Sequence, residues 1–260
     1  LIRLDVPVMI VVSIVTLALA ADGTLERFEG VFLLAGFVAY SALQIKRARR
    51  PGGEATATTA GPARRNGWAF DLVYVVGGLI VLVLGSRWLI TGAVQVAVAL
   101  GVSELVIGLT IVAAGTSMPE IATSVAASLR GERDIAVGNV IGSNIFNILA
   151  VLGGSAVIAQ GGITVPEATM RFDLPVMVAA ALVCLPVFVS GLVIARWEGI
   201  VFLAYYAAYA SFLVLDAAAH PALPAFRTFM LTVAVPLTAI VIIVATIRSR
   251  PTPVKAVEHE

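Results

Sequence analysis

Eight apolar segments, each close to the length needed to cross a lipid bilayer, constrain this chain more than any other feature. A transmembrane helix needs about 20 predominantly apolar residues. We therefore predict an all-α polytopic membrane protein with about eight transmembrane helices in this chain. The predicted spans are Val6–Ala21, Gly30–Ile45, Ala69–Leu89, Ser103–Leu129, Ile135–Ile158, Leu174–Ile194, Gly199–Leu215 and Arg227–Ile247.

The composition agrees with a membrane protein. Of the 260 residues, 60% are hydrophobic and 13% are charged, whereas soluble domains have about 25% charged residues. The net charge is +1, and no basic stripe interleaved with aromatic residues indicates nucleic-acid binding. The single cysteine, Cys184, cannot form an internal disulfide.

The distribution of basic residues predicts the orientation of the chain. The linker 46–68 carries Lys46, five arginines and only one acid, Glu54. Loops rich in lysine and arginine stay on the cytoplasmic side of a membrane. We therefore expect an integral protein of the plasma (inner) membrane with this linker and the C-terminal tail in the cytoplasm. The acidic loop Asp22–Glu29 is then expected outside.

Two short sequence matches indicate an internal repeat. Residues Arg3–Met9 match Arg171–Met177, and Arg27–Gly30 match Arg196–Gly199 at nearly the same offset. In the predicted topology the matching segments have opposite orientations, which is typical of the inverted repeats of secondary transporters. The second copy continues upstream of Arg171 through three more spans, but the first has nothing upstream of Arg3. We therefore expect a fragment of an inverted-repeat antiporter fold.

Polar residues interrupt the fourth span at Gly115–Glu120. An ionisable side chain inside a membrane costs at least ~2.5–3.5 kcal/mol and is first interpreted as functional. On a continuous helix, Thr116, Ser117 and Glu120 would share one face. Pro119 frees a backbone carbonyl, and Gly115 allows close approach of the backbone. Freed carbonyls, hydroxyls and a carboxylate form the oxygen ligand set that calcium prefers.

A second polar motif, Gly138–Asn147, interrupts the fifth span. Ser143 and Asn147 are four residues apart and share a helix face. Gly138 and Gly142 form a small-xxx-small pair, which permits a close helix contact. We expect Asn139 and Asn144 to brace helix ends rather than to bind an ion. The two broken helices would then meet near the membrane midplane, where irregular backbone is tolerated inside protein.

Each candidate ligand also has a structural interpretation. Glu120 could be a paired carboxylate inside the helix bundle. The hydroxyls of Thr116, Ser117 and Ser143 could bond to carbonyls of their own helices. Asn147 could join two helices by a hydrogen bond. Proteolysis is disfavoured because Ser117 has no histidine or lysine base nearby in the sequence.

Together, the motifs Gly-Thr-Ser-x-Pro-Glu and Gly-Asn-x-x-Gly-Ser-Asn-Ile-x-Asn resemble the alpha-repeat signature of the sodium/calcium exchanger family, within the cation/calcium exchanger superfamily. That resemblance implies two inverted repeats with broken helices at the midplane, and a chain that lacks the first alpha-repeat. It divides the chain into the last two helices of repeat one (1–45), the basic linker (46–68), repeat two (69–215), and an extra transmembrane helix with a cytoplasmic tail (216–260).

The same resemblance implies the role of each site residue. Glu120 would bind both calcium and sodium, with oxygen ligands from Thr116, Ser117 and Ser143 and the carbonyl of Ala113. Asn147 lies where some relatives have an aspartate and would complete this half of the metal site.

The implied function is secondary antiport, with Ca²⁺ and Na⁺ as transported ions and no organic cofactor or catalytic residue. The motif Gly138–Gly142 lacks the glutamate that proton-coupled relatives tend to carry, so sodium coupling is favoured. Two alternatives stay open: a proton/cation exchanger, and a non-transporting ion-binding membrane subunit. The expected partners are the two ions, the lipid bilayer and the first alpha-repeat, which is needed to complete the site. We do not expect nucleic-acid binding or exchange activity from residues 1–260 alone.

Overall fold

The computed structural model describes residues 2–48, 68–102, 107–189 and 196–248. Most of the basic linker, the beginning of the fourth predicted span, the end of the sixth and the C-terminal tail lie outside these residues. The described helices of the first half are α1 (Ile2–Leu19), α2 (Arg27–Ala48), α3 (Trp68–Ala99), α4 (Ala113–Thr116) and α5 (Met118–Leu129). Those of the second half are α6 (Arg133–Phe146), α7 (Gly153–Ile158), α8 (Leu174–Val189), α9 (Arg196–Ala217), α10 (Leu223–Phe229) and α11 (Val235–Arg248).

Wider π-helical turns and one pair of short strands complete these elements. Such turns insert extra residues into α-helices, and they are frequent at functional sites. The π-turns are π1 (Gly108–Val112), π2 (Asn147–Leu152), π3 (Thr169–Asp173) and π4 (Met230–Ala234). A 3₁₀ turn at Ala20–Asp22 follows α1, and the strands are β1 (Thr24–Leu25) and β2 (Ile163–Thr164).

Six helical segments among the described residues are long and apolar enough to cross a membrane. They coincide with six of the eight predicted spans. The fourth predicted span is absent from this set because its helix is divided at Ser117. The sixth is absent because α8 contains 16 described residues. The chain is therefore an α-helical membrane protein, but the expected count of eight spans is not confirmed.

The chain divides into two compact units, which we describe separately. Unit A contains Val8–Trp88 and Met118–Ala179. Unit B contains Leu1–Pro7, Leu89–Ser117 and Ala180–Glu260. These units do not follow the predicted repeat boundaries, which no contact among the described residues tests and which stay a prediction.

The core of unit A lies where α2 packs against π2 and α7. A Cβ atom added at Gly30 would lie 2.7 Å from the carbonyl oxygen of Gly153 and 2.8 Å from the Cβ of Ala156. Leu33 and Ala156 are fully buried beside this crossing. Small residues thus bring the two helix backbones into direct contact, as is common for helices packed in lipid.

The two strands connect the loop after α1 to the loop after α7. They are antiparallel, with Thr24 opposite Thr164 and Leu25 opposite Ile163. Leu25 is almost completely buried. Because the strands pair, the two loops lie on the same side of unit A, as counting of the predicted spans requires.

Gly138 and Gly142 permit a close helix contact, but none is made there among the described residues. A Cβ atom added at either glycine would meet nothing within 4 Å among the atoms that the structure describes. Both glycines lie on the same face of α6 as the buried Ile141 and Ile145, at spacings of three, four and seven residues. Spacing alone shows where a helix can be approached closely, but not whether a neighbouring helix lies there.

In unit B, α9 packs against α10 and against π1. The hydroxyl group of Tyr205 on α9 lies 3.0 Å from the carbonyl oxygen of Ala234 and 2.9 Å from Oγ1 of Thr238. Ala234 is the last residue of π4, where a wider turn changes the pairing of backbone carbonyls. These contacts hold the final helical segment of the chain against α9.

Candidate cation site

The first polar motif breaks its helix, as Pro119 predicts. Helix α4 ends at Thr116, and Ser117 adopts φ −92° and ψ 4°, outside the helical region. The backbone N–H of Ser117 donates to the carbonyl of Ala114 over 3.2 Å, which closes a tight turn. Helix α5 then begins at Met118 with Pro119 in its first turn, where the missing N–H of proline is tolerated.

This break interrupts the continuous helix on which the predicted common face of Thr116, Ser117 and Glu120 depends. Residues four apart share a face only along an uninterrupted helix, and here the helix ends between Thr116 and Glu120. Thr116 and Ser117 are the last residues of the segment Leu89–Ser117 of unit B, and their side chains are exposed. Ala113 is the first residue of α4 and directly follows π1. Their role as ligands stays a prediction.

Gly115 has the close packing that the sequence predicts. A Cβ atom there would overlap the side chain of Ile90 on α3 and would approach its Cδ1 to 2.8 Å. Within unit B, α3 therefore lies directly against the backbone just before the break. Any side chain larger than hydrogen at position 115 would displace Ile90.

Glu120 lies in the first turn of α5, and its side chain is half-buried. Its Oε2 atom is buried and has no hydrogen-bond partner among the described residues. An unsatisfied buried acceptor costs about 1–3 kcal/mol, and more when it is charged. The positive end of the helix dipole favours a negative charge at this position. An unpartnered buried carboxylate oxygen is the group that a bound cation would satisfy.

A side-chain bridge joins the helix of Glu120 to the next helix. The Nδ2 atom of Asn139 on α6 donates to the backbone carbonyl of Glu120 over 3.1 Å and to Oγ of Ser124 over 3.0 Å. Oγ of Ser124 in turn lies 3.4 Å from the carbonyl oxygen of Ala136. We call Asn139, Ser124, and the carbonyls of Glu120 and Ala136 the amide bridge.

Ser143 and Asn147 lie further along the helix that carries Asn139. The hydroxyl of Ser143 donates to the carbonyl of Val140 over 3.0 Å, so it is bonded to its own helix, which was the structural interpretation open for it. Asn144 makes a similar bond to Val140 over 2.8 Å. Asn147 has an exposed side chain and begins π2. Their role as ligands also stays a prediction.

The donor set here suits a hard cation rather than a transition metal. Among the described residues, no group of three or more histidine, cysteine, aspartate or glutamate side chains could hold a metal ion. A cation at Glu120 would therefore depend on one carboxylate together with hydroxyl, amide and carbonyl oxygens. Calcium is commonly bound by such mixed oxygen ligands.

Sequence reasoning did not identify Ser124 as a member of the amide bridge. It follows Glu120 by four residues and therefore lies on the same face of α5. That spacing was a usable signal, but a partner on α6 could not be identified without the helix packing. The bracing role expected for Asn139 takes the form of a bond between two helices.

The sequence of this chain is similar to those of known membrane proteins. The model of the family described as sodium/calcium exchanger protein matches residues 70–215. CaxA of Alkalimonas amylolytica is 39% identical over 188 residues, which are 71% of this chain and 58% of that protein. The sodium/calcium exchanger MaX1 of Methanosarcina acetivorans is 38% identical over 143 residues, which are 55% of this chain and 40% of that protein.

A solved structure shows the same fold. The sodium-calcium exchanger NCX_Mj, soaked with Na⁺ and Sr²⁺, superposes with a TM-score of 0.64 at 31% sequence identity. The match covers 80% of this chain and 65% of that chain. This chain thus spans less than two thirds of the length of these similar proteins. The resemblance to this family is confirmed: the chain belongs to the sodium/calcium exchanger protein family.

Proposed function

We propose that the native protein is a secondary antiporter that exchanges calcium for sodium by alternating access, and that Glu120 is its central cation ligand in this half. The observation that carries the proposal is the buried Oε2 atom of Glu120, which has no hydrogen-bond partner among the described residues and lies in the first turn of a broken helix. Broken helices in transporters direct their ends toward substrate ions near the midplane. Membership of the exchanger family supports the choice of ions.

Five further residues complete this half of the proposed site. Hydroxyl, amide or backbone oxygens would come from Thr116, Ser117, Ser143, Asn147 and the carbonyl of Ala113. Binding would require the Ser143 hydroxyl to give up its bond to Val140 or to offer its free lone pairs. Because these neutral oxygens carry no net charge, Glu120 supplies the charge that distinguishes a loaded site from an empty one.

Coupling follows from the cost of moving an unpaired charge. Bound sodium or calcium would neutralise Glu120 and its counterpart in the first alpha-repeat. An empty site with two buried carboxylates should resist the change of access, because uncompensated charge is costly in a low dielectric. The proposal therefore requires both repeats, and residues 1–260 alone should bind weakly and not exchange. The linker and tail would face the cytoplasm of the plasma (inner) membrane.

Uptake of radiolabelled calcium into proteoliposomes, driven by a sodium gradient, tests this function. The native full-length protein, its Glu120→Gln variant and residues 1–260 are compared. Glu132→Gln is the matched control, because Glu132 precedes α6 in the same unit and makes no side-chain capping bond. We expect uptake by the native protein and by Glu132→Gln, and background uptake by Glu120→Gln and by residues 1–260.

The alternatives give different results in the same assay. Uptake that follows a pH gradient and ignores sodium would indicate a proton/cation exchanger. Saturable calcium binding without flux would indicate a non-transporting ion-binding subunit. Uptake by residues 1–260 alone would contradict the requirement for both repeats.

A further inference from the structure

We infer that Asn139 is a positioning residue for ion binding: its amide bridge fixes helix α5 against α6 and so holds Glu120 in place. This inference rests on the proposed function of Glu120. It assigns to Asn139 a role in ion affinity and selectivity without direct contact with the ion.

The Asn139 amide makes two hydrogen bonds to one face of α5. The two hydrogens of the Asn139 Nδ2 group are directed to the carbonyl of Glu120 and to the hydroxyl of Ser124, which are one helical turn apart. Two bonds to successive turns oppose both rotation of α5 and its sliding along α6. A single bond would leave one of these motions free.

The location of the bridge matters because α5 has a weak point just before Glu120. The helix begins at Met118 after the break at Ser117, so its first turn lacks the preceding turn that would otherwise fix its direction. Gly138 and Gly142 of α6 make no close contact among the described residues and therefore add no tight backbone packing. The amide bridge ties α6 directly to the backbone of Glu120.

The orientation of the Asn139 amide is fixed by protein acceptors. Both Nδ2 hydrogens are donated to groups of α5. Asn144, by contrast, donates to Val140 of its own helix and to no other group among the described residues. The two asparagines thus form a matched pair: one connects α6 to α5, and the other does not.

The test compares four variants of the native full-length protein: Asn139→Ala, Asn139→Asp, Ser124→Ala and Asn144→Ala. For each, KM for calcium and for strontium is measured in sodium-driven uptake. The equilibrium Kd for radiolabelled calcium is measured in detergent. KM, Kd and the preference for calcium over the larger strontium ion do not depend on how much protein folds, whereas the maximal rate does.

We expect Asn139→Ala to raise KM and Kd for calcium about tenfold, the size of effect that two lost hydrogen bonds can give. It should also reduce the preference for calcium over strontium, because ligand geometry and rigidity set such selectivity. Asn139→Asp should be no better than Asn139→Ala, since an ionised carboxylate cannot donate to the Glu120 carbonyl. Ser124→Ala should act in the same direction but less, and Asn144→Ala should match the native protein.

Unchanged KM, Kd and selectivity in Asn139→Ala, with only a lower melting temperature, would overturn the inference and leave the proposed function intact. Recovery in Asn139→Asp would also overturn it, because shape rather than donation would then suffice. If the native protein shows no sodium-driven uptake, the proposed function fails. The Kd series then decides on Asn139 by itself.

Discussion

Helices α2 and α9 begin with closely similar sequences but have different surroundings. Both start at an arginine, and both have glycine as the fourth residue, Gly30 in α2 and Gly199 in α9. A Cβ atom at Gly30 would overlap the backbone of α7, whereas one at Gly199 would meet nothing within 4 Å among the described residues. The same local sequence is therefore helical in both places, while its packing depends on the helix that lies opposite.

The difference has a simple interpretation under the predicted inverted repeat. Gly199 is then the counterpart of Gly30, and the helix that would pack against it is the first-repeat counterpart of α7. Relatives such as CaxA are longer than the stretch that this chain matches, which is 58% of that protein. On this hypothesis, the glycine at position 199 is a packing position whose partner comes from the other repeat.

Matched alanine substitutions give the largest contrast. In residues 1–260, Gly30→Ala should lower the free energy of unfolding by about 1–3 kcal/mol, because the new methyl overlaps backbone atoms that cannot move aside. Gly199→Ala should raise it by up to about 1 kcal/mol, because alanine is the better helix former and the space is open. Thermal unfolding followed by circular dichroism measures both.

Equal effects of the two substitutions would contradict the comparison. In a native protein that carries the first alpha-repeat, the gain from Gly199→Ala should become a loss. A persistent gain there would argue against the inverted packing at Gly199.

The glycines of the two polar motifs give a smaller version of the same contrast. Gly115→Ala should cost about 1–2 kcal/mol, because the new methyl meets the movable side chain of Ile90 rather than backbone. Gly142→Ala should be neutral or stabilising, since its space is open among the described residues. The same unfolding measurement applies. Gly115→Ala should cost less in a protein that already carries Ile90→Ala than in one that keeps Ile90. An equal cost in both proteins would mean that Ile90 is not the obstacle.

Substitutions of Arg27 in α2 and Arg196 in α9 should show the smallest difference in the free energy of unfolding. Nε of Arg27 donates to the carbonyl of Val157 over 3.0 Å, near the end of α7 where carbonyls lack helical partners. Arg27→Ala should lower the free energy of unfolding by about 0.5–1 kcal/mol. Arg196 is exposed, and Arg196→Ala should have no measurable effect. A larger effect at Arg196 than at Arg27 in chemical denaturation would reverse the ranking.

Much of the local structure could be predicted from residue types. The break near Pro119 follows from the missing amide hydrogen of proline, and the close approach at Gly115 from the missing side chain. The helix boundary near Arg27 follows from the change from polar to apolar residues. The family itself was recognisable from two short motifs, because their combination of polar residues is unusual in an apolar chain.

The common face expected for Thr116, Ser117 and Glu120 assumed a continuous helix, and the same motif interrupts that helix. Eight spans were expected from hydropathy, but six helical segments among the described residues are long and apolar enough to cross a membrane. The difference arises because a span also needs a continuous helix, which hydropathy does not measure.

The sequence by itself thus determined the class of the protein, its apolar segments and the residues that chemistry marks as candidate ligands, because these depend on neighbours along the chain. Only the tertiary structure decided that Gly30 is packed while Gly138 and Gly142 meet no neighbour among the described residues, and that Asn139 donates to Glu120 and Ser124. The physical reason is that a helix presents several faces of similar composition. Which face is buried depends on a partner that is distant in sequence.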